Sequence, residues 1–222
     1  MTNSVNAYPV SSRQPYATGE AIIQELSSFP KSKALLDEAQ KELQECGLPN
    51  LEIRLEIPES GFEAEQVRNI IRITPGFSAP SQLGCAVFEL HNVTSLRKEI
   101  ALEKALKNGS YKSPEEYAEA AEHIEFEGKF SSINQIAREI NQLKDCESNT
   151  PYIENDYEQF PENVEFDQFY NEFLHDDHKE YYRQRWRSLN SGWRNCYSSK
   201  ITHVAVTCAA IAIAALGLWK II

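Results

Sequence analysis

The chain of 222 residues holds one methionine, nine glycines and five cysteines. The cysteines (Cys46, Cys85, Cys146, Cys196 and Cys208) are odd in number, scattered and without CxxC spacing. That argues against a disulfide-stapled scaffold and against a thiolate zinc centre. No GxxxxGK[ST], GxGxxG or GxSxG run occurs, so nucleotide hydrolysis and serine-hydrolase chemistry have no support. Basic charge is also scarce: 22 Lys+Arg stand against 33 Asp+Glu, a net of −11. Such a balance argues against general nucleic-acid binding. Met1–Gly19 lacks an apolar run and is therefore no Sec signal peptide. Its Ser, Thr, Asn, Pro and Tyr content reads as a disordered arm. Arms of this composition resemble the N-terminal export signals of bacterial type III effectors.

What is present is unevenly placed. Residues 1–178 carry 15 basic and 32 acidic side chains, whereas residues 179–200 carry six basic ones and a single acid, Glu180. Ile201–Trp219 contains no Asp, Glu, Lys or Arg. As a helix it would span roughly 28 Å, close to the hydrocarbon thickness of a bilayer. The expectation is a C-terminal transmembrane tail anchor over 201–222, with the preceding domain in the cytosol. Arg183, Arg185, Trp186, Arg187, Trp193 and Arg194 form a basic, aromatic collar on the near side. Trp219 and Lys220 anchor the far side. The partners this implies are the lipid bilayer and its anionic headgroups, with no nucleic acid. A buried, Ala-rich C-terminal helix is the alternative, although such a helix usually shows one charged face.

The acidic body reads as α+β, mostly helical with a small antiparallel sheet. Helices are expected over 20–28 and 31–46, the second with Leu35, Leu36, Ala39 and Leu43 on one face and Gly47 as its stop. Leu51–Ile57 alternates strictly, and Val67–Ile73 follows after a turn-rich link, so the two read as an antiparallel pair. One long helix is expected from about Ser81 to Lys107. Ser113, Pro114 and Glu116 form a capping box for the next helix, and Ser131 or Ser132 caps another with Ile133, Ile136, Ala137, Ile140 and Leu143 on its face. Residues 151–178 hold nine acids and no base, yet Phe166, Phe169, Tyr170 and Phe173 keep helical spacing. The expected organisation is an arm (1–19), a cytosolic domain (20–146), an acidic linker (147–163), an amphipathic helix with collar (164–200) and the anchor.

One carboxylate stands out. From Ala79 to Leu96 the sole charged residue is Glu89, within the run Phe88-Glu89-Leu90-His91-Asn92. A carboxylate there is expected to be partly buried, and so either paired or raised in pKa. Two strands followed by a buried helix with one central Glu resemble the zincin metallopeptidase core. That family's helix carries His-Glu-x-x-His, with a third ligand, often Glu, further on. Here only the general-base Glu matches, at Glu89. The two ligand positions hold Phe88 and Asn92, and Glu122 or Glu125 matches the third ligand. The resemblance spans residues 51–128 at most, and it implies a frame that has lost its zinc: no metal and no cofactor.

Glu89, Asn92, Glu122 and Glu125 are then the candidate site residues. In the competing reading Glu89 is a structural carboxylate held by Asn92 and a cation such as Arg68 or Arg72. His175-Asp176-Asp177-His178 has spacing that suits a divalent metal, but a solvated acidic face is the simpler expectation. Three functions follow. The first is a tail-anchored protein, with a bacterial effector in a host membrane as one setting, whose cytosolic, degenerate zincin-like domain binds an unidentified protein partner. The second is a divergent hydrolase with Glu89 as general base. The third is a structural membrane adaptor using the acidic 151–178 segment.

Overall fold

The computed structural model describes residues 13–59, 63–127, 129–144, 151–155, 164–174 and 176–190. They form a mostly helical α+β fold with one three-stranded mixed sheet. Helices α1 (Gly19–Ser27) and α2 (Pro30–Glu45) come first. The Thr18 hydroxyl accepts the Ala21 N–H at 3.2 Å and caps α1. The apolar face expected of α2 is buried, and Gly47 adopts φ +68 just beyond it, the left-handed backbone that ends helices.

The sheet corrects one expectation. Strands β1 (Glu52–Leu55), β2 (Ala64–Val67) and β3 (Ile70–Ile73) lie in the order β1-β3-β2. β1 pairs with β3 in parallel, Ile53 opposite Ile71, and β2 pairs antiparallel with β3, Gln66 opposite Ile71. Arg68 takes φ 57, so the chain reverses between Val67 and Ile70 instead of running through as one strand. That hairpin sends β3 back in the direction of β1, which makes the β1–β3 pair parallel.

The single helix expected over 81–107 is two: α3 (Ala79–Thr94) and α4 (Leu96–Lys107). The Ser95 N–H donates to the Asn92 carbonyl at 3.0 Å, a tightened turn that redirects the chain. Leu96 thereby stays in the main core while Leu102 and Leu106 enter a second one. Helix α5 (Pro114–Phe126) starts as expected: the Ser113 hydroxyl accepts the Glu116 N–H at 3.1 Å. The Glu116 carboxylate reaches back one residue further than a standard capping box, to the Lys112 N–H at 2.8 Å. Helix α6 (Lys129–Leu143) begins ahead of the serines expected to cap it, and Leu143 is exposed. α7 (Phe166–Gln168) runs into a π-helical turn (Phe169–Phe173). The chain extends at Leu174 (ψ 124) before α8 (Asp176–Asn190), so the helix expected to continue into the collar is interrupted.

The main core gathers α1, α2, the sheet, α3 and α6. The second core joins Leu102 and Leu106 of α4 to Tyr117, Ala118 and Ala121 of α5 and Tyr182 of α8. The N-terminal arm is docked from Arg13, whose guanidinium lies 3.4 Å from the centre of the Tyr152 ring. Part of the acidic linker is docked too: Asn141 accepts the N–H groups of Tyr152 and Ile153 at 2.7 and 3.1 Å. Among the described residues no helix is long and apolar enough to cross a membrane. The expected anchor over 201–222 lies outside them.

Candidate functional site

Helix α3 is packed against α2, β2, β3 and α6, so its inner face has little contact with water. Ser78 caps it, its hydroxyl accepting the Ser81 N–H at 3.2 Å. Glu89 sits on that inner face, 0% exposed. One turn on, the Asn92 amide donates to Glu89 Oε2 at 2.9 Å. The same amide accepts from the Lys129 ammonium, Nζ to Oδ1 2.5 Å, and so bridges carboxyl and cation. The expected cation was Arg68 or Arg72. Arg72 instead pairs with Glu56 and Glu65 across the sheet, at 2.7 and 2.6 Å.

Lys129 Nζ also lies 3.9 Å from Glu125 Oε2 and 3.9 Å from the centre of the Phe88 ring, a cation–π contact. Glu125 accepts from the Tyr182 hydroxyl of α8. Glu122, one turn earlier on α5, meets His178 of α8, Oε1 to Nδ1 2.5 Å. All four candidate residues are therefore buried, and Asn92, Lys129 and Glu125 link Glu89 toward α8. His178 corrects an expectation: it is not on a solvated face but turned inward.

Burial dominates the electrostatics. It pushes the Glu89 carboxyl up to about 8, against the Asn92 hydrogen bond and the Lys129 charge. Glu89 Oε1 has no hydrogen-bond partner among the described residues. Burial likewise lifts Glu99 of α4 to about 8, with the neighbouring Glu125 adding to it, and raises Glu122 despite the opposing pull of His178. His91 is driven the other way, down to about 3, by burial and then by Lys129, so its imidazole is neutral. Beside this network is a small cavity of about 20 Å³, room for one water, lined by Glu99, Tyr117, Ala121, Glu125, Tyr182 and Arg185.

The zincin positions fail as a zinc site on their own chemistry. Phe88 offers no lone pair, and Asn92 and Glu125 converge on an ammonium, which repels a dication. No step is therefore derived through zinc there. A different group does have ligand character: one carboxylate oxygen of each of Glu122 and Glu125 and a ring nitrogen of His178 lie within 4.8 Å of one another.

Arg183, Arg185 and Trp186 of the collar face the domain, whereas Arg187 is exposed and pairs within α8. Arg185 is ion-paired with Glu103 of α4, and Arg183 reaches Glu115 of α5 at 3.7 Å. The Trp186 indole donates to the Tyr111 carbonyl at 3.4 Å, and Arg187 pairs with Glu180 at 2.5 Å. Trp193, Arg194, Trp219 and Lys220 lie outside the described residues. Sequence reasoning missed Lys129, Tyr182 and Glu99 as members of the site. A faint signal existed for Lys129, four residues after Glu125 and directly before the apolar Phe130. No family model matches the chain, and neither does any curated protein or solved structure.

Proposed function

We propose that this chain is a membrane-anchored protein whose α+β domain works by binding a protein partner. Its frame is zincin-like, with a lysine ammonium standing where the resemblance would put the metal. The observation that carries this reading is the location of Lys129 Nζ, in contact with Phe88, Asn92 and Glu125 together. Those are the positions that would ligate zinc. A fixed ammonium neutralises the surrounding carboxylates but supplies no Lewis acid and activates no water. The sealed Glu89 fits a structural and binding role, because a general base has to reach the proton it removes. The uncharged 201–219 segment and its basic flank support the membrane address.

The raised pKa of Glu89 and its unpaired Oε1 favour the hydrolase as the second reading. Peptide-library hydrolysis by the full chain separates the two. We expect no product above background, and no difference on Glu89→Gln. Product formation lost in Glu89→Gln would replace the binding reading with the hydrolase. For the anchor, deletion of residues 201–222 should release the protein from carbonate-washed membranes; retention there would remove the membrane claim.

A further inference from the structure

We infer that Glu122, Glu125 and His178 form a binding site for a divalent transition metal of the zinc class, built between α5 and α8. The two glutamates stand three residues apart on one face of α5, and His178 comes from the first turn of α8, the helix that packs along it. Their donor atoms already lie within 4.8 Å of one another. Ligands at about 2.0–2.2 Å from a tetrahedral zinc stand some 3.4 Å apart, so small side-chain movements bring all three to a common centre. One imidazole and two carboxylates suit zinc, manganese or iron; calcium and magnesium prefer oxygen alone.

The ligands are buried, at 1%, 7% and 5% exposure, which sets them apart from the acidic clusters common on protein surfaces. A second observation points the same way. Glu99 is 7% exposed, and both of its carboxylate oxygens lack a hydrogen-bond partner among the described residues. It lines the same cavity as Glu125 and Tyr182, so an unpartnered buried carboxyl stands on the Glu125 side of the three ligands. The Tyr182 hydroxyl donates to Glu125 and orients it, as outer partners orient metal ligands; the Lys129 ammonium, 3.9 Å from Glu125, opposes a dication there, and the two ligand carboxylates together offset it.

The site uses neither Phe88 nor Asn92 and shares with the zincin positions only the third-ligand candidates, Glu122 and Glu125. The test uses the full chain in detergent, stripped with a chelator and dialysed against zinc, with cobalt(II) as a spectroscopic probe. We expect about one zinc per chain and a tetrahedral-type cobalt spectrum. His178→Ala and Glu122→Gln should each weaken binding by more than the roughly 10–100-fold typical of losing an outer partner, while Lys33→Ala, on the exposed side of α2, leaves it unchanged. Glu122→Gln is nearly isosteric and decides the matter if His178→Ala does not fold. Uptake below about a tenth of an equivalent by the folded wild type would overturn the site. So would stoichiometric uptake that survives both ligand variants, or uptake lost equally with Lys33→Ala. The hydrolysis assay reads the binding proposal independently, since zinc uptake at this site leaves that outcome unmoved.

Discussion

The molecule has two kinds of interior. Around β3 and the inner face of α3, Ile71, Ile73, Leu83, Ala86, Val87 and Leu90 are all at 0% exposure and apolar. Where α6 packs on α3 and α5, and α8 on α5, buried positions hold Glu89, Asn92, Glu122, Glu125, Lys129 and His178. The first region is held by area removed from water and close packing. The second depends on partners: each charge is tolerable only while its neighbour is present. Stability and specificity are thus divided. The apolar region can be repacked, whereas the polar seam sets which helices must meet.

The largest expected effect breaks the seam. Lys129→Ala leaves Glu125 and Asn92 facing each other without their cation and should cost about 3–5 kcal/mol in chemical denaturation. Lys129→Met combined with Glu125→Gln removes charge from both sides and should recover part of that loss. A double variant no better than Lys129→Ala would show that the seam is not electrostatically coupled. In the apolar region, Leu83→Ala should cost about 3 kcal/mol through lost transfer energy and a cavity, and by the same amount at pH 6.5 and pH 8. Tyr182→Phe removes one hydrogen bond to a buried carboxylate and should cost about 1.5–3 kcal/mol. Ser113→Ala, at the exposed start of α5, should cost about 1 kcal/mol and mark the scale of a local contact.

The subtlest prediction separates the two interiors by pH. Glu89 and Glu99 have folded pKa values raised from 4.5 to about 8. The folded state therefore holds protons that the unfolded chain has released. Their contribution is complete below the unfolded value and is lost as pH rises through about 8. His91, lowered from 6.5 to about 3, acts oppositely: its contribution is complete above 6.5 and is lost as pH falls through about 3. From 6.5 to 8 only the carboxyls act, so stability should decline over that interval. Glu89→Gln should flatten the decline, as followed by denaturant midpoints at each pH. A slope unchanged in that variant would assign it to other groups.

Much of the local structure was legible because helix starts are written in short-range chemistry. Ser113, Pro114 and Glu116 mark α5, and the spacing of Leu35, Leu36, Ala39 and Leu43 marks the face of α2. Breaks were less legible. Ser95 and Leu174 are unremarkable in sequence, and the chain turns there because the segments that follow pack on α5. The Arg68 reversal was hidden for a similar reason: a non-glycine residue at φ 57 carries no compositional warning.

The candidate site divides along the same line. That Glu89 would be at least partly buried followed from the sequence, because a lone charge in an apolar helix has no solvent-facing stripe to occupy; its complete burial came with the packing of α3. Its bond to Asn92 followed as well, since residues three apart share a helix face. Only the tertiary structure decided that its cation is Lys129, 40 positions away, and that His178 turns in to meet Glu122, 56 positions away. Helical periodicity says which side of an element is buried. It does not say which other element covers that side, and the covering helix supplies the partner on which a buried charge depends.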